Sequence, residues 1–193
     1  FSATVQPSGA TNKAVSWSSS NTAVALVDNS GSILTQSPGE TIITVTTDDG
    51  AHTATATLTV QPVPIDVSGI INSDTTWTTG NRYRLTNTLQ VAHGSTLTVQ
   101  QGVEVLGQGN DLQIFGVLDV NGASGARVRF DNVHTQLSGP HTAPSQIHVS
   151  YADIDGGQFV TAGGGWDYGS VHLHDSVVRN TPYIYAWYPV ADS

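Results

Sequence analysis

His148 and His172 lie 24 residues apart, and each alternates with apolar neighbours: Ile147 and Val149 in one segment, Val171 and Leu173 in the other. In a strand that alternation puts the apolar residues on one face and the histidines on the opposite one. If the two segments stack as adjacent strands about 4.8 Å apart, the imidazoles come within reach of each other. His174 shares the face of His172. Two or three such rings could bind zinc or copper, both of which accept imidazole nitrogen. The competing reading is a solvated histidine ladder on a polar face, whose protonation near neutral pH would make it self-repelling.

Other residues with chemical potential are sparser. Asp153 and Asp155 fall on one expected rung and Asp175 on the next. The 24-residue offset sets Asp155 over Arg179 and Asp153 over Val177, which reads as an ion pair between rungs. A calcium cage would need six to eight oxygens, and for the same reason Asp48 and Asp49 read as turn residues. No further concentration of carboxylates is legible. No nucleophile elbow, phosphate loop or metalloprotease helix motif occurs, so no catalytic residue is assigned and enzyme status stays open. Tyr183, Tyr185, Trp187 and Tyr188 form an aromatic cluster, with Trp166 and Tyr168 in a Gly-rich stretch before it. With Ile184 and Ala186 as the buried set, Tyr183, Tyr185 and Trp187 point outward, as a surface for stacking on sugar rings or for packing against a further rung.

The elements that must position these residues are strands. The chain of 193 residues is rich in Thr, Val, Gly and Ser, with two Glu and a single Lys. That mix disfavours helices, because β-branched side chains are stiff at χ1 and Gly is costly in a helix interior. No apolar run approaches the ~18 residues of a membrane span. The net charge of −9 and six scattered Lys and Arg exclude phosphate-backbone binding, so nucleic acid is not an expected partner. There is no Cys, which leaves stability to cores and hydrogen-bond ladders. The acidic surface fits an extracellular protein. The absence of an initial Met is expected to reflect processing or a longer chain.

Residues 1–60 read as short strands with turns at sandwich spacing. The runs are Phe1 to Val5, a segment with Val15 and Trp17 inward, Ala23 to Val27, Ile33 to Thr35, Thr41 to Thr46 and Thr53 to Val60. Asp49-Gly50 signals a hairpin with a two-residue turn. Trp17 is expected as the buried core tryptophan rather than a sugar-stacking residue. Ala3-Thr4-Val5-Gln6-Pro7, Ala14-Val15-Ser16-Trp17-Ser18-Ser19-Ser20-Asn21, Thr41-Ile42-Ile43-Thr44-Val45 and Thr53-Ala54-Thr55-Ala56-Thr57-Leu58-Thr59-Val60 together resemble the bacterial immunoglobulin-like domain family. The resemblance implies an Ig-like β-sandwich, here lacking its first strand, of a kind used as a spacer or presenting module in surface proteins, adhesins and extracellular enzymes.

Residues 61–65, with Pro62 and Pro64, read as a stiff linker. Beyond it apolar pairs recur between Gly, Asn and Asp: Leu89/Val91, Leu97/Val99, Val103/Val105, Leu112/Ile114, Leu118/Val120 and Val128/Phe130. Three-residue strands of this kind suit a coil whose turns stack, the repeat signature of a parallel β-helix. Tyr83-Arg84-Leu85, Leu89 to Val99, Gly102-Val103-Glu104-Val105, Gly116-Val117-Leu118, Gly122 and Val128-Arg129-Phe130 resemble the start of bacterial right-handed parallel β-helix domains. That resemblance implies a single-stranded parallel β-helix over residues 66–193, with a cap over about 66–91, rungs over about 89–193, and a last rung left incomplete. It also implies secretion, in a class that includes polysaccharide lyases, hydrolases and adhesin stalks. Such enzymes gather carboxylates and a base in one outer groove, often with calcium.

The whole is therefore expected to be all-β, secreted or on the cell surface. The expected role is a structural or adhesive segment with a polysaccharide or cell-surface ligand. The alternatives are a non-catalytic portion of an extracellular polysaccharide-active lyase or hydrolase, and a self-associating fibre subunit completed by a neighbour's strand. No cofactor is assigned beyond the zinc or calcium already weighed.

Overall fold

Thr, Val and Gly leave the backbone little reason to coil into a helix, and the described residues contain none. The computed structural model describes residues 1–138, 145–162 and 169–181. Two units separate at the proline linker, Phe1–Pro62 and Val63–Ser193.

In the first unit β1 (Val15–Ser19), β2 (Ala25–Val27), β3 (Ile33–Thr35), β4 (Gly39–Thr47) and β5 (Thr53–Val60) are all antiparallel. β4 is central, flanked by β1 and β5, and β2 pairs with β3. Alternation along β4 sends Thr41 and Ile43 into a small core, which Ala25 of β2 and Val24 of the turn before it complete. The buried Thr41 hydroxyl stays satisfied by accepting from the Asn21 amide at 2.9 Å and by sharing a hydrogen bond with the Ser19 hydroxyl.

Three expectations for this unit need correction. Phe1 to Val5 is not a strand, because no neighbour offers it a ladder; its ammonium group instead donates to the Gly31 carbonyl at 2.8 Å. Trp17 faces inward but is only half buried, with Phe1 against it at a ring separation of 6.4 Å. The β4–β5 hairpin closes through four residues rather than two, since the Thr47 amide bonds to the His52 carbonyl and Asp48 to Ala51 form the loop. Gly50 and Ala51 both take positive φ there.

The second unit begins with β6 (Ile65–Ile71), β7 (Thr75–Trp77), β8 (Arg82–Val91) and β9 (Thr96–Gln100). It continues with β10 (Glu104–Leu106), β11 (Asp111–Ile114), β12 (Val117–Asn121), β13 (Val128–Asp131), β14 (His134–Leu137) and β15 (Ser145–Ser150). β16 (Ala152–Asp155), β17 (Gln158–Ala162), β18 (Gly169–His174) and β19 (Val177–Arg179) complete the described strands. Every pairing among them is parallel. The chain winds through about four turns of a β-solenoid between β8 and β18. Its first face carries the start of β8, then β10, β13, β16 and β19. The second carries the end of β8, then β11, β14 and β17, and the third carries β7, β9, β12, β15 and β18. β6 runs parallel to both halves of β8, and β7 to β9, so residues 65–77 are laid down like a further turn. β8 turns its corner without a break, whereas later turns interrupt the strand there.

Inward residues stack in columns, because parallel in-register strands repeat each side chain over the one before. Leu97, Leu118, Ile147 and Val171 form one column and Tyr83, Val105, Phe130, Ile154 and Val178 another. Leu97, Leu118 and Ile147 have no exposed surface. At about 25 cal/mol per Å² of apolar area removed from water, these columns supply the main cohesion of the unit. Corners need close backbone approach. A Cβ on Gly116 would collide with the carbonyl oxygens of Ala92 and Ser95, and one on Gly157 with the Val133 carbonyl.

Candidate functional site

Outward positions of the same strands also stack, so any residue type repeated at the turn spacing becomes a ladder. On the first face one outward column reads Arg82, Glu104, Arg129, Asp153, Val177. The neighbouring column reads Arg84, Leu106, Asp131, Asp155, Arg179. Arg82 pairs with Glu104, Arg127 with Asp153 at 3.0 Å, and Arg179 with Asp153 at 3.6 Å. Asp66, one turn before Arg84, meets that guanidinium through two hydrogen bonds of 2.7 and 2.9 Å. The hydrogen bond from Arg84 holds the Asp66 carboxyl below the usual carboxylate range and raises the guanidinium in return.

Between these ladders lies a groove of about 280 Å³ lined by Glu104, Arg129, Asp131, Asp153, Asp155 and Arg179, with Phe130 and Ile154 beneath. Four carboxylates and two guanidinium groups thus face one shallow depression. Such groups offer bidentate hydrogen bonding to hydroxyl, carboxylate or amine groups of a ligand.

Sequence reasoning found only part of this. It placed Asp153 over Val177 and Asp155 over Arg179, and the register agrees. The ion pair it drew from that register is corrected: Arg179 reaches diagonally to Asp153, while Asp155 accepts a hydrogen bond from Asn180. Glu104, Arg129 and Asp131 were missed. The signal was present for Arg129 and Asp131, which lie the same 24 residues before Asp153 and Asp155 that separate those from Val177 and Arg179; Glu104, 25 residues before Arg129, falls off that step. Of the four carboxylates, Glu104 alone requires the register of its turn to be placed in the group.

The histidines fall where the alternation sent them. His148 and His172 are directly in register on β15 and β18, with ring centres 5.4 Å apart and planes at 70°. Asp119 precedes His148 in the same column. His174 stands over Ser150, not over a histidine, and its Nδ1 lies 3.0 Å from Asp175. Among the described residues no group of three His, Cys, Asp or Glu side chains is placed together to hold a metal ion. Asp175 sits apart from Asp153 and Asp155, beside Tyr151, where its hydrogen bond pushes the phenol above its ordinary range. Trp166, Tyr168, Tyr183, Tyr185, Trp187 and Tyr188 lie outside the described residues. Among the described residues no helix is long and apolar enough to cross a membrane.

The family comparison bears on the first unit. Residues 1–58 match the family described as bacterial Ig-like domain (group 2). A stretch of 50 residues, 26% of the chain, is 46% identical to an uncharacterized protein of Clostridium acetobutylicum and covers 13% of that protein's length. No solved structure matches the chain. Residues 1–58 are a bacterial Ig-like domain, and the chain continues from it into a parallel β-solenoid.

Proposed function

We propose that the chain is an extracellular structural and adhesive segment, in which the Ig-like domain acts as a spacer and the β-solenoid as a stiff presenting surface. The observation that carries this reading is the unbroken stacking of inward columns such as Leu97, Leu118, Ile147 and Val171. A structure whose every turn repeats the last propagates load along its ladder and displays its outward residues at a fixed spacing. Bacterial Ig-like domains are typical of extracellular bacterial proteins, which supports the location. Antibody labelling of intact cells that encode the chain tests it. Staining without permeabilisation is the expected result, and staining only after lysis overturns the reading.

A second reading rests on the groove of Glu104, Arg129, Asp131, Asp153, Asp155 and Arg179. Its volume suits one sugar residue, and polar groups converging over an apolar floor fit carbohydrate recognition by a polysaccharide-directed protein. Binding and turnover assays on acidic and neutral polysaccharides test this reading. Retention lost in Arg129→Ala supports it, and retention unaltered by that substitution removes the groove from the account.

A further inference from the structure

We propose that His148 and His172 form a surface site for a divalent transition metal of the zinc, nickel or copper class, bridging two successive turns of the solenoid. A tetrahedral metal bound to two imidazoles at about 2.0–2.1 Å holds the ring centres roughly 5.2 Å apart, since each centre lies about 1.1 Å behind its nitrogen. The observed separation is 5.4 Å. No backbone movement is therefore needed to reach that spacing. The rings now stand edge to face at 70°, and aiming one nitrogen from each at a shared point takes a rotation about the soft terminal torsion of histidine. His148 is half buried and His172 exposed, so the metal reaches both from solvent.

The surroundings favour a cation. Asp119 is the residue before His148 in the column, and it accepts a 2.9 Å hydrogen bond from Asn121. The flanking outward residues of the two strands, Gln146, Ser150 and Ser170, are neutral. His174 lies two residues along from His172 on the same face, about 7 Å away by strand rise, and stays with Asp175 at 3.0 Å, where it adds to the site's surroundings without ligating. Water fills what remains. Imidazole donors with open positions suit borderline metals and not calcium, which takes oxygen.

Isothermal titration of the full chain with Zn²⁺ alone, and with Ca²⁺ as a comparison, tests the site. One saturable Zn²⁺ site is expected, with no Ca²⁺ binding there. His148→Ala and His172→Ala should each weaken Zn²⁺ affinity at least ten-fold, and His174→Ala only a few-fold. His93→Ala, on another part of the solenoid, should leave it unchanged. Because the substituted side chains face outward, circular dichroism should show the same β signal in all variants. With Co²⁺ as the probe, intense visible bands report a tetrahedral site that His148→Ala abolishes. Absence of saturation below 1 mM Zn²⁺, or affinity that survives both His148→Ala and His172→Ala, overturns the assignment.

Discussion

Arg179 lies in register with Asp155, yet its guanidinium reaches across to Asp153 at 3.6 Å. Asp153 already accepts a 3.0 Å hydrogen bond from Arg127, so one carboxylate ties together β16, β19 and the segment before β13. Arg127 also donates to the Ala152 carbonyl at 2.8 Å, which holds it in place beside Asp153. The long arm of Arg179 is the freer partner and bends to the existing pair.

That sharing predicts unequal costs. Asp153→Asn leaves a partly buried guanidinium without its anion and should destabilise the solenoid by about 1–2 kcal/mol. Arg179→Ala removes an exposed partner and should cost less than about 1 kcal/mol. Urea denaturation of both variants and of the double variant checks this. Equal losses for the two single substitutions would contradict a hub at Asp153.

The interior columns make a sharper prediction. Leu118 has no exposed surface and is packed between Leu97 and Ile147. Leu118→Ala should cost about 2–5 kcal/mol, because neighbours on regular strands relax poorly into the space left. Val177→Ala, on the outer side of β19, should change stability by about 0.5 kcal/mol or less. Thermal denaturation of the two variants measures the contrast.

Corners should be as demanding as the core. Gly116→Ala forces a methyl group onto the Ala92 and Ser95 carbonyl oxygens, groups of the preceding turn that cannot rotate away. A loss of about 1–3 kcal/mol or failure to fold is expected. Gly125→Ala meets nothing within 4 Å and should be close to neutral. Similar losses at both positions would mean that flexibility of the free chain, not the close approach, sets the requirement.

These residues also show why part of the architecture was legible in the chain and part was not. Pairs such as Leu112/Ile114 and Leu118/Val120 announce both the strand and its buried side, since a period of two survives in three residues. The match of His148 to His172 followed from a constant 24-residue step. From Leu118 to Ile147, however, the step is 29, and no local pattern reveals how much chain a corner absorbs. In the charged groove Arg129 and Asp131 obey the same 24-residue step as Asp153, Asp155 and Arg179, and only Glu104, at 25, is displaced from it. Phe1 to Val5 failed for a different reason: its alternation is strand-like, but a strand exists only where a partner supplies hydrogen bonds.

Acid should weaken the first turns of the solenoid through Asp66. Its carboxylate is held below its ordinary range chiefly by the hydrogen bond from Arg84, with a smaller contribution from the charge. A carboxyl with a lowered folded-state value contributes stability above the unfolded-state value, and loses it as pH falls through the folded one. The contribution is therefore complete at neutral pH and declines below about pH 4. Both partners are solvent-exposed and the effect is screened by salt, so it should shrink as ionic strength rises. Melting temperatures measured from pH 6 down to pH 2.5 should fall less steeply for Asp66→Asn than for the unaltered chain, with the two curves drawing together at the acid end. Parallel curves across the whole range would show that the Asp66–Arg84 pair contributes nothing to the pH dependence of folding.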